Sequence, residues 1–276
     1  RAFILRCCNI GEIVMFEKDF WESGAVGRPV ITVLNKELDT DLRKNNMPSY
    51  KLYHSLNDFI AGVVQVFSYP QEYFATTPYN RFRLFFVESQ KSLVDKLQVG
   101  SKSLSAFVAF ASGLIGKKGK NEIISREKRG ADWYPGLLSG SEIRKYIVNY
   151  EGNFIRFNTK ILKSGFKDAN YFVPKILLRQ TGDSLVAAYD DNNLLCLNNL
   201  HVGNLKDKKC SLKYILALLN SFLLSYYYRL ISLETGRAMA QTDIETIELL
   251  PIKIPSADIQ DKIVSVVDQI LSAKKK

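Results

Sequence analysis

The chain has 276 residues, 46% apolar and 12% aromatic, a globular composition long enough for one large or two ordinary domains and unlike a disordered tail. Lysine and arginine number 38 against 28 acidic residues, and the formal charge of +10 favours a polyanionic partner or an anionic membrane surface. Cys7, Cys8, Cys196 and Cys210 form neither a Cys-x-x-Cys pair nor a disulfide-dense pattern, and only His54 and His201 could join them at a metal; a zinc finger and a secreted disulfide scaffold are excluded, and a reduced, cytoplasmic setting is expected.

The chain opens Arg1-Ala2-Phe3-Ile4-Leu5-Arg6, with neither an initiator methionine nor a charged-then-apolar leader, and is expected to be a piece of something longer. Residues 1–45 show a short amphipathic segment (Phe3, Ile4, Cys7, Ile10), an apolar run at 12–16, a glycine-containing loop at 23–29 and a β-branched run at 30–34. That pattern predicts a helix and two strands at the edge of an α/β sheet. The polar stretch 36–48 (Asp39, Asp41, Arg43, Lys44, Asn45, Asn46) has the composition of a linker, which places a boundary near residue 45. Periodicity does not settle residues 49–110, where an aromatic-rich stretch (Phe59, Phe67, Tyr69, Tyr73, Phe74, Tyr79) precedes a predicted strand at 82–87.

Residues 111–136 turn glycine-rich and basic; within 117–129 six basic and two acidic side chains leave a local +4 on a predicted loop. Alternation at 175–179 reads as a half-buried strand with Lys175, Leu177 and Arg179 on one face. Turns at 181–183 and 190–193 extend it into a three-stranded meander with segments 184–189 and 194–202. Leu212, Ile215, Leu216, Leu219, Phe222, Leu223, Tyr226 and Tyr227 recur at helical spacing and predict one long helix. A membrane span there is set aside because Lys213, Asn220 and Arg229 interrupt it. Pro251 and Pro255 bracket an extended piece, and 259–271 reads as a final amphipathic helix, so that 46–250 and 251–276 form the second and third segments of the chain.

Catalytic groupings are sparse. There is no Gly-x-x-x-x-Gly-Lys-Ser/Thr loop, no Gly-x-Ser-x-Gly elbow and no His-x-x-x-His pair. Gly113, Gly116 and Gly119 lack the spacing of a dinucleotide fingerprint, and Thr76-Thr77-Pro78-Tyr79 has threonine where an adenine-holding Asn/Asp-Pro-Pro-Tyr loop needs its acceptor. Catalysis by this chain alone is not expected, and no cofactor or metal is assigned to it.

Several local patterns converge on one family. Residues 104–125, with Gly113 and Gly116, resemble its Gly-Ile/Leu-x-x-Gly opening. Leu138-Ser139-Gly140-Ser141-Glu142-Ile143-Arg144-Lys145-Tyr146 resembles Leu-x-Gly-x-Asp/Glu-Ile-x-x-Tyr, and Pro174-Lys175-Ile176-Leu177-Leu178-Arg179 resembles Pro-Lys-Ile-x-x-Arg. Tyr214-Ile215-Leu216-Ala217-Leu218-Leu219-Asn220-Ser221 resembles Tyr-x-Leu-x-Leu-Leu-Asn-Ser, followed by Leu250-Pro251-Ile252. The family is the TaqI-like C-terminal specificity (target recognition) domain of adenine-specific DNA methyltransferases and Type IIG restriction–modification enzymes. Residues 1–35 resemble the last helix and strands of the methyltransferase domain in the same proteins.

The resemblance implies an α+β fold of mixed and antiparallel sheets with packed helices, preceded by the trailing edge of an α/β methyltransferase domain. It implies double-stranded DNA as partner, an upstream methyltransferase domain in the same parent chain, S-adenosylmethionine as that parent's cofactor, and no membrane. Phosphate contacts would position such a module and base-edge contacts would specify its site. Lys117, Lys118, Lys120, Arg126, Lys128 and Arg129 suit the first task. Lys175 and Arg179, about 13 Å apart on one strand face, would span a groove edge. Arg144, Lys145, Thr181, Asn199, His201, Arg237 and Gln241 complete the candidate DNA contacts. Other readings are a specificity subunit that docks separate modification subunits, suggested by the 259–271 helix, and a general basic nucleic-acid-binding domain.

Overall fold

The computed structural model describes residues 1–18, 29–207, 209–232 and 240–274. They divide into two compact units, Arg1–Lys96 and Leu97–Lys276.

In the first unit the apolar run forms the strand Cys8–Phe16, preceded by the helix Ala2–Cys7 as its periodicity predicts. The β-branched run forms Val30–Lys36, antiparallel to it from Cys8↔Lys36 to Met15↔Val30. Ser49–Tyr53 pairs in parallel on the other side, Glu12↔Ser49 to Phe16↔Tyr53, and Gln65–Ser68 closes the four-stranded sheet. The stretch 36–48 is therefore no linker. Asp39 caps the helix Thr40–Lys44 by accepting from the amides of Asp41 at 2.8 Å and Leu42 at 3.1 Å. Asn46 donates to the Ile10 carbonyl and to Gln71 Oε1, both at 2.8 Å. These long-range bonds carry the unit past residue 45, and the division falls at 96/97.

The aromatic-rich stretch packs on itself, with Tyr50 and Tyr69 ring centroids 4.3 Å apart and Phe74 edge-on to Tyr50. Segment 82–87 is not a strand. Leu84, Phe85 and Phe86 are buried without ladder partners. The Tyr69 hydroxyl stands in for a ladder, donating to the Arg83 carbonyl at 2.7 Å and accepting from the Phe85 amide at 3.2 Å.

The second unit is built on an antiparallel sheet in the order Ala187–Asp190, Lys175–Arg179, Leu200–Leu205, Val108–Ser112. The predicted meander is thus rearranged: Leu200–Leu205 returns beside Lys175–Arg179, and Leu195–Cys196 leaves to pair in parallel with Gly136–Leu137. It joins a second sheet with Trp133–Leu137, Phe154–Arg156 and Ile124–Ser125. One core links them, with Leu177, Ala188, Leu200 and Val202 packed among Leu137, Ile155 and Leu195. Gly113 lies where the chain crosses it, and a Cβ there would come within 2.2 Å of the Leu197 carbonyl oxygen. That glycine serves close packing rather than a phosphate loop.

The predicted long helix is two, Leu212–Asn220 and Phe222–Ser232, bent by 68° at Ser221. Ser221 leaves helical geometry (ψ 151°) and its hydroxyl accepts from the Leu224 amide at 3.1 Å, a cap that starts the second helix. Asn220 ties the first helix to the sheet, exchanging bonds of 3.0 and 2.9 Å with the Ala187 amide and carbonyl. Among the described residues no single helix is long and apolar enough to cross a bilayer. Pro251–Ile252 pairs with Lys102–Ser103, and the final helix Ala257–Lys274 packs on Leu212–Asn220 through Gln260, which accepts from the Ser211 amide at 2.7 Å.

Candidate nucleic-acid interface

Four chain segments meet where strand Lys175–Arg179 ends. The first is the turn 138–141, locked by the buried Glu142, whose Oε2 accepts from the amides of Leu138 at 2.6 Å and Ser139 at 2.9 Å while Ser139 Oγ caps Ser141. This brings Gly140 against the second segment: a Cβ at Gly140 would stand 3.1 Å from Arg179 Cγ and 3.4 Å from Thr181 Oγ1. Arg179 Nε itself points to Thr181 Oγ1 at 3.4 Å. The third is Asn199, whose carbonyl accepts from the Gln180 amide at 3.0 Å and whose Nδ2 reaches the Leu138 carbonyl at 3.3 Å. The fourth is Gln241, bridged antiparallel to Thr181, with the Gly182 amide donating to the Ala240 carbonyl at 2.9 Å. Four candidates scattered over 63 residues of sequence, Arg179, Thr181, Asn199 and Gln241, therefore form one cluster; the last three are exposed and Arg179 is half-buried.

Two candidates fail on burial. Lys175 is fully buried and ion-paired with the equally buried Asp190, and its amine also donates to the Tyr171 carbonyl at 2.7 Å. The alternation that suggested a half-exposed strand misleads because Ile176, Leu177 and Leu178 are also fully buried, so both faces are covered and no Lys175–Arg179 pair spans a groove. His201 is 3% exposed, its Nε2 bonded to the Thr242 carbonyl at 2.7 Å, and burial pushes its pKa down, so the ring is neutral. Arg144 is exposed on the hairpin of Ile143–Arg144 with Ile147–Val148. Lys145 is engaged with the Asn220 carbonyl at 2.9 Å. Arg237 lies outside the described residues.

The predicted cationic loop is exposed throughout, at Lys117, Lys118, Lys120, Arg126, Lys128 and Arg129. Arg129 lies over the Trp133 ring at 5.7 Å, and Arg126 approaches the Glu151 carbonyl at 3.5 Å. The fold adds what the sequence reading missed. Leu162–Ser164 pairs with Ile115–Gly116 and Lys117 Nζ donates to the Lys160 carbonyl at 2.8 Å, which brings the exposed Lys160 and Lys163 alongside Lys117, Lys118 and Lys120. That pairing, between residues 43 apart in sequence, joins the two lysine groups. Nearby, Arg156 pairs with Asp132 at 2.7 Å and holds its carboxyl below the usual carboxylate range.

Strand Trp133–Leu137 runs between the lysine group and the Arg179 cluster. Its first residue pairs with Arg156, whose amide bonds the Ile123 carbonyl at 2.8 Å beside Lys120; its last precedes the turn at Ser139. Its five residues make four steps of about 3.3 Å, so its ends lie roughly 13 Å apart. Among the described residues no three His, Cys, Asp or Glu side chains gather as a metal site.

The family described as the TaqI-like C-terminal specificity domain matches residues 136–252, the stretch that supplies Gly140, Arg179, Thr181, Asn199 and Gln241. Among solved structures, the Type IIL restriction-modification enzyme MmeI in complex with DNA superimposes with a TM-score of 0.54 at 12% identity, over 97% of this chain and 38% of that one. The type IIG restriction endonuclease BpuSI gives 0.49 at 10% identity over 97% and 39%, and the HsdS subunit from Thermoanaerobacter tengcongensis 0.38 at 14% over 68% and 45%. The chain thus spans about two-fifths of the length of MmeI and BpuSI. The MmeI likeness is one of fold, and it bears out the mixed α+β architecture expected for a specificity domain. No curated protein matches by sequence.

Proposed function

We propose that this chain reads a duplex DNA sequence on behalf of an adenine-specific methyltransferase or Type IIG restriction–modification enzyme, whose catalytic domain precedes it in the parent protein. The observation that carries the proposal is the meeting of Arg179, Thr181, Asn199 and Gln241 at one strand end inside the matched specificity segment. Arginine offers a bidentate donor pair to guanine, and asparagine and glutamine offer the donor and acceptor that adenine requires. The lysine group lies at the other end of strand Trp133–Leu137, about 13 Å along it, a span comparable with the ~12 Å width of the major groove. Readers seated in the groove would therefore leave Lys117, Lys118, Lys120, Lys160 and Lys163 on the flanking phosphates, where charge sets affinity and register.

The division of labour follows from the chemistry of the parent. A methyltransferase must take its target base out of the stack, and a separate surface has to hold register while the base is flipped. S-adenosylmethionine would be held by the catalytic domain, and no residue of this chain is assigned to it. Selection of duplexes from a randomised pool on the immobilised full chain tests the reading: enrichment of one short motif is expected, and a pool that stays random after several rounds contradicts it.

A further inference from the structure

The segment 240–242 belongs to no helix and makes only a single bridge, yet it is pinned at five points, four on its backbone and one at the Thr242 hydroxyl. Thr242 is fully buried; its amide donates to the Gln180 carbonyl at 2.7 Å, and its hydroxyl donates to the Arg179 carbonyl at 2.6 Å. The Ala240 carbonyl accepts from the Gly182 amide at 2.9 Å, and the Gln241 carbonyl accepts from the Tyr228 hydroxyl at 3.2 Å. The fifth point is the Thr242 carbonyl, held by His201 Nε2 at 2.7 Å from the adjoining strand, where His201 sits opposite Leu178 and Ser112.

His201 is an odd occupant of that core. Its Nδ1 is buried with no hydrogen-bond partner, so the ring leaves one nitrogen bare in order to use the other. A leucine would fill similar space without the bare nitrogen, but would leave the buried Thr242 carbonyl unpaired. What the imidazole supplies is therefore the bond to Thr242, and through it the seat of the strap on which Gln241 stands beside Thr181.

We propose that His201 is a positioning residue for base reading: it clamps the strap 240–242 to the end of strand Lys175–Arg179 and so fixes the register of Gln241 against Thr181 and Arg179. The proposal rests on the assignment of that cluster to base edges. A clamp of this kind governs discrimination and not the charge-driven affinity, because the lysine group lies elsewhere on the fold.

The test uses the full chain, a duplex selected from a random pool and a scrambled duplex of equal length, with His201→Leu, His201→Gln and Thr242→Val. Amide hydrogen exchange in peptides covering 180–182 and 240–242 reports the strap directly. His201→Leu is expected to speed exchange there at least tenfold, to cut the selected-to-scrambled affinity ratio at least tenfold, and to leave scrambled-duplex affinity within twofold. His201→Gln, whose amide can donate to the Thr242 carbonyl, is expected to recover most of the ratio. Thr242→Val, which releases the strap from its other side, is expected to match His201→Leu and decides the matter if the leucine variant does not fold. Unchanged exchange with discrimination intact would overturn the clamp alone, as would an equal loss on both duplexes. A wild-type chain that prefers no duplex would overturn the base-reading assignment and the clamp with it.

Discussion

Removing the Lys175 amine separates a structural lysine from a DNA-binding one, and the structure sets the size of the effect. In Lys175→Met the buried Asp190 loses its ion-pair partner while still accepting from the amides of Asn192 and Leu194, each at 3.0 Å. Leaving one member of a buried pair uncompensated costs about 3–5 kcal/mol. For a unit the size of Leu97–Lys276, a loss of 1 kcal/mol lowers the melting temperature by about 2–4 °C, so a fall of roughly 10 °C is expected in a thermal scan followed by circular dichroism. Adding Asp190→Asn removes the stranded charge and keeps an acceptor for one of the two loop amides. The double variant should regain about 1–3 kcal/mol over the sum of the singles. Because Lys175 is enclosed, the slope of log affinity against log salt for duplex binding should not change in any variant that remains folded. A Lys175→Met protein that loses less than about 1 kcal/mol, or whose salt slope flattens by nearly one unit, would refute the reasoning.

Replacing Lys117, Lys118 and Lys120 together by glutamine should weaken binding to every duplex alike and flatten the salt slope by up to about 0.9 for each phosphate that is no longer neutralised; a sequence-dependent loss would contradict their assignment to the backbone. Since burial holds the native His201 pKa down while the unfolded ring titrates near its ordinary value of about 6.5, the unfolded state binds more protons between those two values. The resulting stability is complete above about pH 6.5 and is lost as pH falls toward the native pKa. Denaturant unfolding of His201→Gln across pH 5–7 should therefore show a shallower decline than wild type, and an equal decline would count against a neutral buried ring. Burial pushes the Cys196 thiol up to about 12 and the Cys210 thiol up to about 11. Brief iodoacetamide treatment read by mass spectrometry should modify the part-exposed Cys7 and Cys8 well before either.

The elements with strong local signals were legible from the chain alone. The apolar run that became Cys8–Phe16, the β-branched run that became Val30–Lys36 and the amphipathic repeat within Ala257–Lys274 all stand close to where periodicity places them. What escaped depends on partners distant in sequence. The polar stretch around Asp39 resembles a linker until Gln71 and Ile10 are seen to hold Asn46. The alternation at 175–179 resembles a surface strand because a lysine at its head signals solvent, and only Asp190, across a turn, makes its burial tenable. The long helix hid its break in Asn220-Ser221, a capping signal masked by unbroken apolar spacing on either side. At the candidate site, residue type in predicted loops pointed to Thr181, Asn199 and Gln241, and strand alternation to Arg179 as the partner of Lys175, but their meeting required the strand exchange that puts Leu200–Leu205 beside Lys175–Arg179. The same exchange carried His201 into the core.

The assignment of the Arg179 cluster to base edges is tested most directly by a single-substitution affinity matrix: every base pair of a selected duplex changed in turn, measured for wild type and for Arg179→Ala at fixed salt. The expected result is that the variant loses about 1–3 kcal/mol of discrimination at one base pair and retains it elsewhere. A uniform drop at all positions, or discrimination that survives the substitution intact, would contradict the account.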